Sequence, residues 1–99
     1  METNIATKQK DKVKIKKPKN YKVVMYNDDY TTMEFVINIL VSVFNKNLIE
    51  AEKIMLDVHQ KGKGIAGIYS YDIAMTKVAT AMSLAKEQGF PFKLTVEEV

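Results

Sequence analysis

Asn27-Asp28-Asp29 is the densest run of acceptor side chains in this 99-residue sequence. Two carboxylates beside an amide carbonyl can hold a cation, an ammonium included. The same residue types also favour a plain turn. His59 is the only histidine. Its ring nitrogen can join those acceptors, but a histidine near a helix C-terminus is equally favoured by the helix dipole. Met33, Val36, Met55 and Val58 stand at helical spacing, which suits core packing. Met33 comes shortly after the acidic run, where an adaptable thioether can line the rim of a site.

Other chemistries find little support. The chain has no cysteine, which excludes disulfides, thiolate zinc sites, iron–sulfur clusters and a thiol nucleophile. That fits a reducing compartment. Ser42, Ser70 and Ser83 sit in no activating motif, and no oxyanion loop accompanies them. Asp28, Asp29 and His59 would make a thin metal set with no helical histidine pair. We therefore expect a binding protein that is not an enzyme and carries no cofactor or metal.

Charge and length narrow the class further. The net charge of +3 is unevenly divided. Residues 1–20 hold 7 Lys against Glu2 and Asp11, a balance of +5, and residues 21–99 hold 8 Lys against 10 acids, a balance of −2. The first segment reads as a flexible basic N-terminal extension, either a solubilising tail or a binding arm. The second reads as one mildly acidic domain. No arginine is present, so the bidentate contacts that most often read guanine cannot be made. No run approaches the roughly 20 apolar residues of a membrane span.

The elements that would position these residues follow from pattern. Tyr21–Tyr26 is β-branched and aromatic, and predicts a strand stopped by the Asn-Asp-Asp run. Thr31 with Glu34 reads as a capping box opening a helix through Val36, Ile39, Leu40, Val43 and Phe44. After Asn45-Lys46-Asn47, the pair Asn47 and Glu50 opens a second helix with Leu48, Ala51, Met55 and Val58 as its apolar stripe. Gly62 ends it. Gly64–Tyr69 predicts a second strand. Ser70 caps a third helix with Ala74, Val78, Ala81, Met82 and Ala85 on one face, closed by Gly89 and Pro91. Phe92, Leu94 and Val96 alternate as a third strand. The order β-α-α-β-α-β predicts an α+β fold: a small, mainly antiparallel three-stranded sheet packed with three helices.

The segments YKVVMYNDDYTTM, MEFVINIL, MLDVHQKGKGIAGIYS and DIAMTK resemble the ClpS family, adaptors of the bacterial ClpA–ClpP protease. The likeness covers residues 21–99. It rests on N-D-D-x-T, M-E-F-V and M-L-x-V-H-x-x-G-K in that order and at compatible distances. It implies a module that binds free N-terminal Leu, Phe, Tyr or Trp of substrate proteins (N-degrons) and hands them to the unfoldase in the bacterial cytoplasm. By the same resemblance, Asn27, Asp28 and His59 would bind the substrate α-amino group. Asp29, Thr31, Met33, Val36, Met55, Val58 and Phe92 would line the apolar pocket, with Met33 gating against β-branched first residues. Asp72 and Lys77 would bracket the contact with the N-terminal domain of a ClpA-type AAA+ unfoldase. Neither membrane nor nucleic acid is expected as a partner. The rival reading is nucleic-acid binding through the Lys-rich arm, which the mildly acidic domain disfavours.

Three positions depart from the family pattern. Thr32 stands where proline is usual, which removes a fixed φ from the loop. Tyr26 replaces an aliphatic residue, and Phe92 replaces a leucine. An inward-pointing Phe92 would shrink the pocket and weaken Trp relative to Leu.

Overall fold

The computed structural model describes residues 17–99. Most of the basic extension expected over 1–20 therefore lies outside the described residues. The elements are β1 (Tyr21–Tyr26), α1 (Met33–Ser42), α2 (Leu48–Lys61), β2 (Lys63–Tyr69), α3 (Tyr71–Gln88) and β3 (Lys93–Glu98). This is the predicted β-α-α-β-α-β order.

β1 is the central strand, in the order β2-β1-β3, and both pairings are antiparallel. Along β1 the side-chain period of two separates the faces. Val23 and Met25 are fully buried among helical residues, while Lys22 and Tyr26 belong to the open face. The β1–β2 register slips between Val23 and Val24, which pair with Gly67 and Ile65. The extra residue there is Ala66, a bulge that bends β2.

All three helices lie on the Val23/Met25 face. Val36, Ile39 and Leu40 of α1, Ala51, Met55 and Val58 of α2, and Ala74, Val78, Ala81 and Ala85 of α3 are buried in one cluster with Phe44, Phe92 and Leu94. The small residues of α3 allow close approach to the sheet. Phe35 joins Phe90 and Phe92 in edge-to-face contacts at 5.1 and 6.1 Å, tying α1 to the chain entering β3.

Three local expectations are corrected. The N-cap of α1 is Thr32, not Thr31: its hydroxyl accepts from Phe35 N–H at 3.1 Å. Thr31 instead gives its hydroxyl to Asp28, and a side chain so engaged cannot cap. Leu48 and Met82 are not in the core but exposed, at 59% and 44%. Leu48 is the first residue of α2, a turn before the first buried position, Ala51. Met82 lies one position off the Ala74–Val78–Ala81–Ala85 stripe, about 100° around the helix. The Asn47 cap is as predicted and accepts from Glu50 N–H at 2.8 Å.

Candidate functional site

A cleft opens where the β1–α1 loop faces the C-terminal half of α2. It is lined by Asn27, Asp28, Asp29, Tyr30, Thr31, Thr32, Met33, Val36, Met55, Val58 and His59, and encloses about 420 Å³. That volume is at the small end of the range for small-ligand sites. Val36 from α1 and Met55 and Val58 from α2 are buried and form its apolar floor. Asn27, Asp29 and His59 are exposed at its polar margin, and Met33 is 45% exposed at its rim.

The loop is built around Asp28. Its Oδ1 accepts from Tyr30 N–H at 2.8 Å and Thr31 N–H at 2.7 Å, and its Oδ2 accepts from the Thr31 hydroxyl at 2.7 Å. Burial alone would push the Asp28 carboxyl up. The donors from Thr31 and Tyr30 outweigh that and hold it below its ordinary value. A carboxylate offers about four lone-pair directions, so three internal donors leave Asp28 room for roughly one more. Among the described residues Asp29 accepts no side-chain hydrogen bond.

A second set of bonds sets the loop against α2. Asn27 N–H donates to Gly62 O at 2.9 Å, and Gly62 N–H donates to Val58 O at 3.0 Å. Gly62 has φ +89, a left-handed conformation that an L side chain rarely adopts. The turn therefore fixes Asn27 at the end of β1 relative to Val58 and His59 in the last turn of α2. Two residues on, a Cβ at Gly64 would lie 3.0 Å from Val58 Cγ2 and 3.3 Å from Ile54 O, so glycine also permits β2 to approach α2.

Ten of the eleven lining residues come from two segments, 27–33 and 55–59 with their ends included; Val36 completes the set. The cleft brings together Asn27, Asp28, Asp29, Thr31, Met33, Val36, Met55, Val58 and His59, all nominated from sequence. Phe92 is the exception. It is 3% exposed and lies in the aromatic contact with Phe35, where it borders a different groove with Met82 and Phe90. Its ring therefore does not narrow the cleft. Tyr26 also points elsewhere: its hydroxyl donates to Glu97 Oε2 at 3.2 Å on the open face of the sheet, with the Lys93 ammonium 5.1 Å from its ring centre. Tyr30 and Thr32 were not nominated, although both line the cleft. Tyr30 occupies the unspecified position of N-D-D-x-T.

Asp72 and Lys77 flank a shallow depression on α3 with Ile73 and Thr76. The Lys77 ammonium donates to Val43 O at 2.6 Å and Asn45 Oδ1 at 3.0 Å, and lies 5.3 Å from the Tyr69 ring centre. It thereby ties the α1–α2 turn, where Asn45 has φ +58, to α3. No group of three His, Asp or Glu side chains able to hold a metal ion occurs among the described residues. No helix there is long and apolar enough to cross a membrane.

Comparison with known proteins places this chain in a family. The model of the ATP-dependent Clp protease adaptor protein ClpS matches residues 16–95. The chain belongs to the ClpS family. The ClpS adapter of Clostridium acetobutylicum is 56% identical over 99 residues, covering 100% of this chain and 98% of its own. The ClpS adapter of Acetivibrio thermocellus is 50% identical over 97 residues, covering 98% of each. Among solved structures, Agrobacterium tumefaciens ClpS2 bound to L-phenylalaninamide superimposes with a TM-score of 0.80 at 40% identity. The match covers 84% of this chain and 100% of that one.

Proposed function

We propose that this ClpS-family chain is a non-enzymatic adaptor of the bacterial cytoplasm. It binds proteins whose free N-terminal residue is Leu, Phe, Tyr or Trp, and delivers them to a ClpA-type AAA+ unfoldase of the Clp protease. The observation that carries the reading is the pairing, in one cleft, of an acceptor-rich margin with a buried apolar floor. The ligand bound by the Agrobacterium relative has the two complementary parts, a free amine and an aromatic side chain.

The chemistry of an N-terminal residue fits both halves. A free α-amino group has a pKa of about 7.7–8.0 and is mostly charged at neutral pH. Its three N–H donors need three acceptors. Asn27, His59 and the remaining lone pair of Asp28 supply them, and exposed Asp29 adds a second negative charge to the margin. Charge-assisted bonds are the stronger kind. Burying a Leu or Phe side chain over Val36, Met55 and Val58 contributes roughly 1.5–3 kcal/mol. Neither part alone gives tight binding. Met33 stands at the rim, where a branch at the first Cβ would meet it.

Delivery requires a second surface. Asp72, exposed in the first turn of α3, and neighbouring Ile73, 50% exposed, are our candidates for contact with the unfoldase N-terminal domain. Lys77 supports that surface by bracing α3 against the α1–α2 turn. Residues 1–20 are proposed as the extension that assists transfer. The binding half is tested by titrating peptides with a free N-terminal Leu or Phe beside their N-acetylated twins. Delivery is tested by degradation of an N-terminal Leu reporter with the unfoldase and protease present.

A further inference from the structure

The cleft accounts for the first residue of a bound chain; its rim also holds one large side chain that the fold does not use. Of the five tyrosines, Tyr21 packs on Tyr71 at 5.1 Å, Tyr26 bonds Glu97 under Lys93, and Tyr69 lies against Phe44 with Lys77 above it. Tyr30 alone has no ring partner among the described residues, and it is 75% exposed while lining the cleft. Its main chain is not loose: the N–H is held by Asp28 Oδ1 at 2.8 Å. An unpacked aromatic ring on an anchored backbone is a preformed contact surface.

The geometry of a peptide says what comes to that surface. At the first residue, the amine is held at the polar margin and the side chain enters the floor, so the carbonyl must leave through the mouth. The second Cα follows 3.8 Å on, which puts the second side chain at the rim. The exposed lining residues are Asn27, Asp29, Tyr30, Thr32, Met33 and His59. Tyr30 presents the only aromatic face to solvent there besides the His59 ring. We propose that Tyr30 forms a second subsite that selects the residue following the N-terminal one, favouring a planar side chain, aromatic or guanidinium. Such a side chain stacks on the phenol ring, and a guanidinium gains further from the exposed Asp29 carboxylate that lines the same cleft. This inference rests on the N-terminal residue occupying the cleft.

The experiment uses three free-amino fluorescent peptides, identical except for Leu-Phe, Leu-Arg or Leu-Ala at their start, against the full chain and its Tyr30→Ala and Tyr30→Phe variants. An exposed stacking contact predicts that Leu-Phe and Leu-Arg bind roughly two- to fivefold more tightly than Leu-Ala. Tyr30→Ala should collapse the three affinities together, and Tyr30→Phe, which keeps the ring, should restore the spread. Equal affinities in the unaltered chain, or an unchanged spread in Tyr30→Ala, would overturn the subsite. If none of the three peptides binds the folded chain, the N-terminal reading itself has failed and the subsite falls with it.

Discussion

The Thr31 hydroxyl donates to Asp28 Oδ2 at 2.7 Å while the Thr31 N–H donates to Asp28 Oδ1 at 2.7 Å. Asp28 is thereby the organiser of the loop as well as a candidate ligand for the ammonium. The two roles separate by substitution. Thr31→Val removes the hydroxyl donor to Asp28 and leaves Asn27, Asp28 and His59 in place. We expect it to weaken peptide binding by a fewfold and cost about 1.5 kcal/mol of stability, the low end for a bond to a charged group because the carboxylate is only part-buried. A chemical-denaturation curve and a peptide titration on the same variant check both.

The Asp28 carboxyl also carries a pH signature. Its pKa is lower in the folded chain than in the unfolded one, so its contribution to stability is present above the ordinary carboxylate range. That contribution is lost as pH falls through the lowered folded value. The stability gap between the unaltered chain and Asp28→Asn should therefore close on acidification. A gap that stays constant down to about pH 2 would contradict it, because that lies below the usual Asp range.

Gly62 links the polar margin to the helix that carries His59. Gly62→Ala meets nothing within 4 Å, so any cost comes from φ +89 and not from a clash. We expect a loss of about 1 kcal/mol and weaker binding of free-amino peptides, since Asn27 is anchored on Gly62 O. Gly62→Asn, which tolerates the left-handed region better, should lose less on both counts.

Met33 is 45% exposed in the first turn of α1. Shortening it should open the mouth without touching the floor. Met33→Ala is expected to bind peptides beginning with Ile or Val more tightly than the unaltered chain does. The ratio of Val- to Leu-peptide affinity reads this directly, and an unchanged ratio would remove Met33 from the gate.

The sequence made most of the fold legible because its signals were local. β1 is bounded by turn-forming residues, Asn47 caps α2 through its own side chain, and Gly62 and Gly89 end helices in left-handed conformations. What pattern could not resolve was competition between neighbours. Thr31 and Thr32 are equally good caps by type, and only the carboxylate of Asp28 decides that Thr31 is engaged elsewhere. Met82 fits an apolar stripe on paper, yet alanines nearer the sheet take the buried positions. Eight of the nominated cleft residues converge because they lie in two short segments held by the Asn27–Gly62 bond, and Val36 joins them one turn further along α1. Phe92 did not join them, since its place depends on the packing of Phe35 and Phe90, which no local signal encodes. Nothing local marks Tyr30, because its exposure at the cleft is a property of the folded chain.

The central claim is that the cleft reads a free N-terminal residue. Anisotropy titrations of the chain into fluorescent peptides beginning with free Leu or Phe, each paired with its N-acetylated form, test it most directly. Acetylation removes the positive charge and the ammonium donors and adds bulk at the polar margin. The account predicts saturable binding of the free peptides and none of the acetylated ones. Equal binding of both forms, or none of either by a chain shown to be folded, would contradict it.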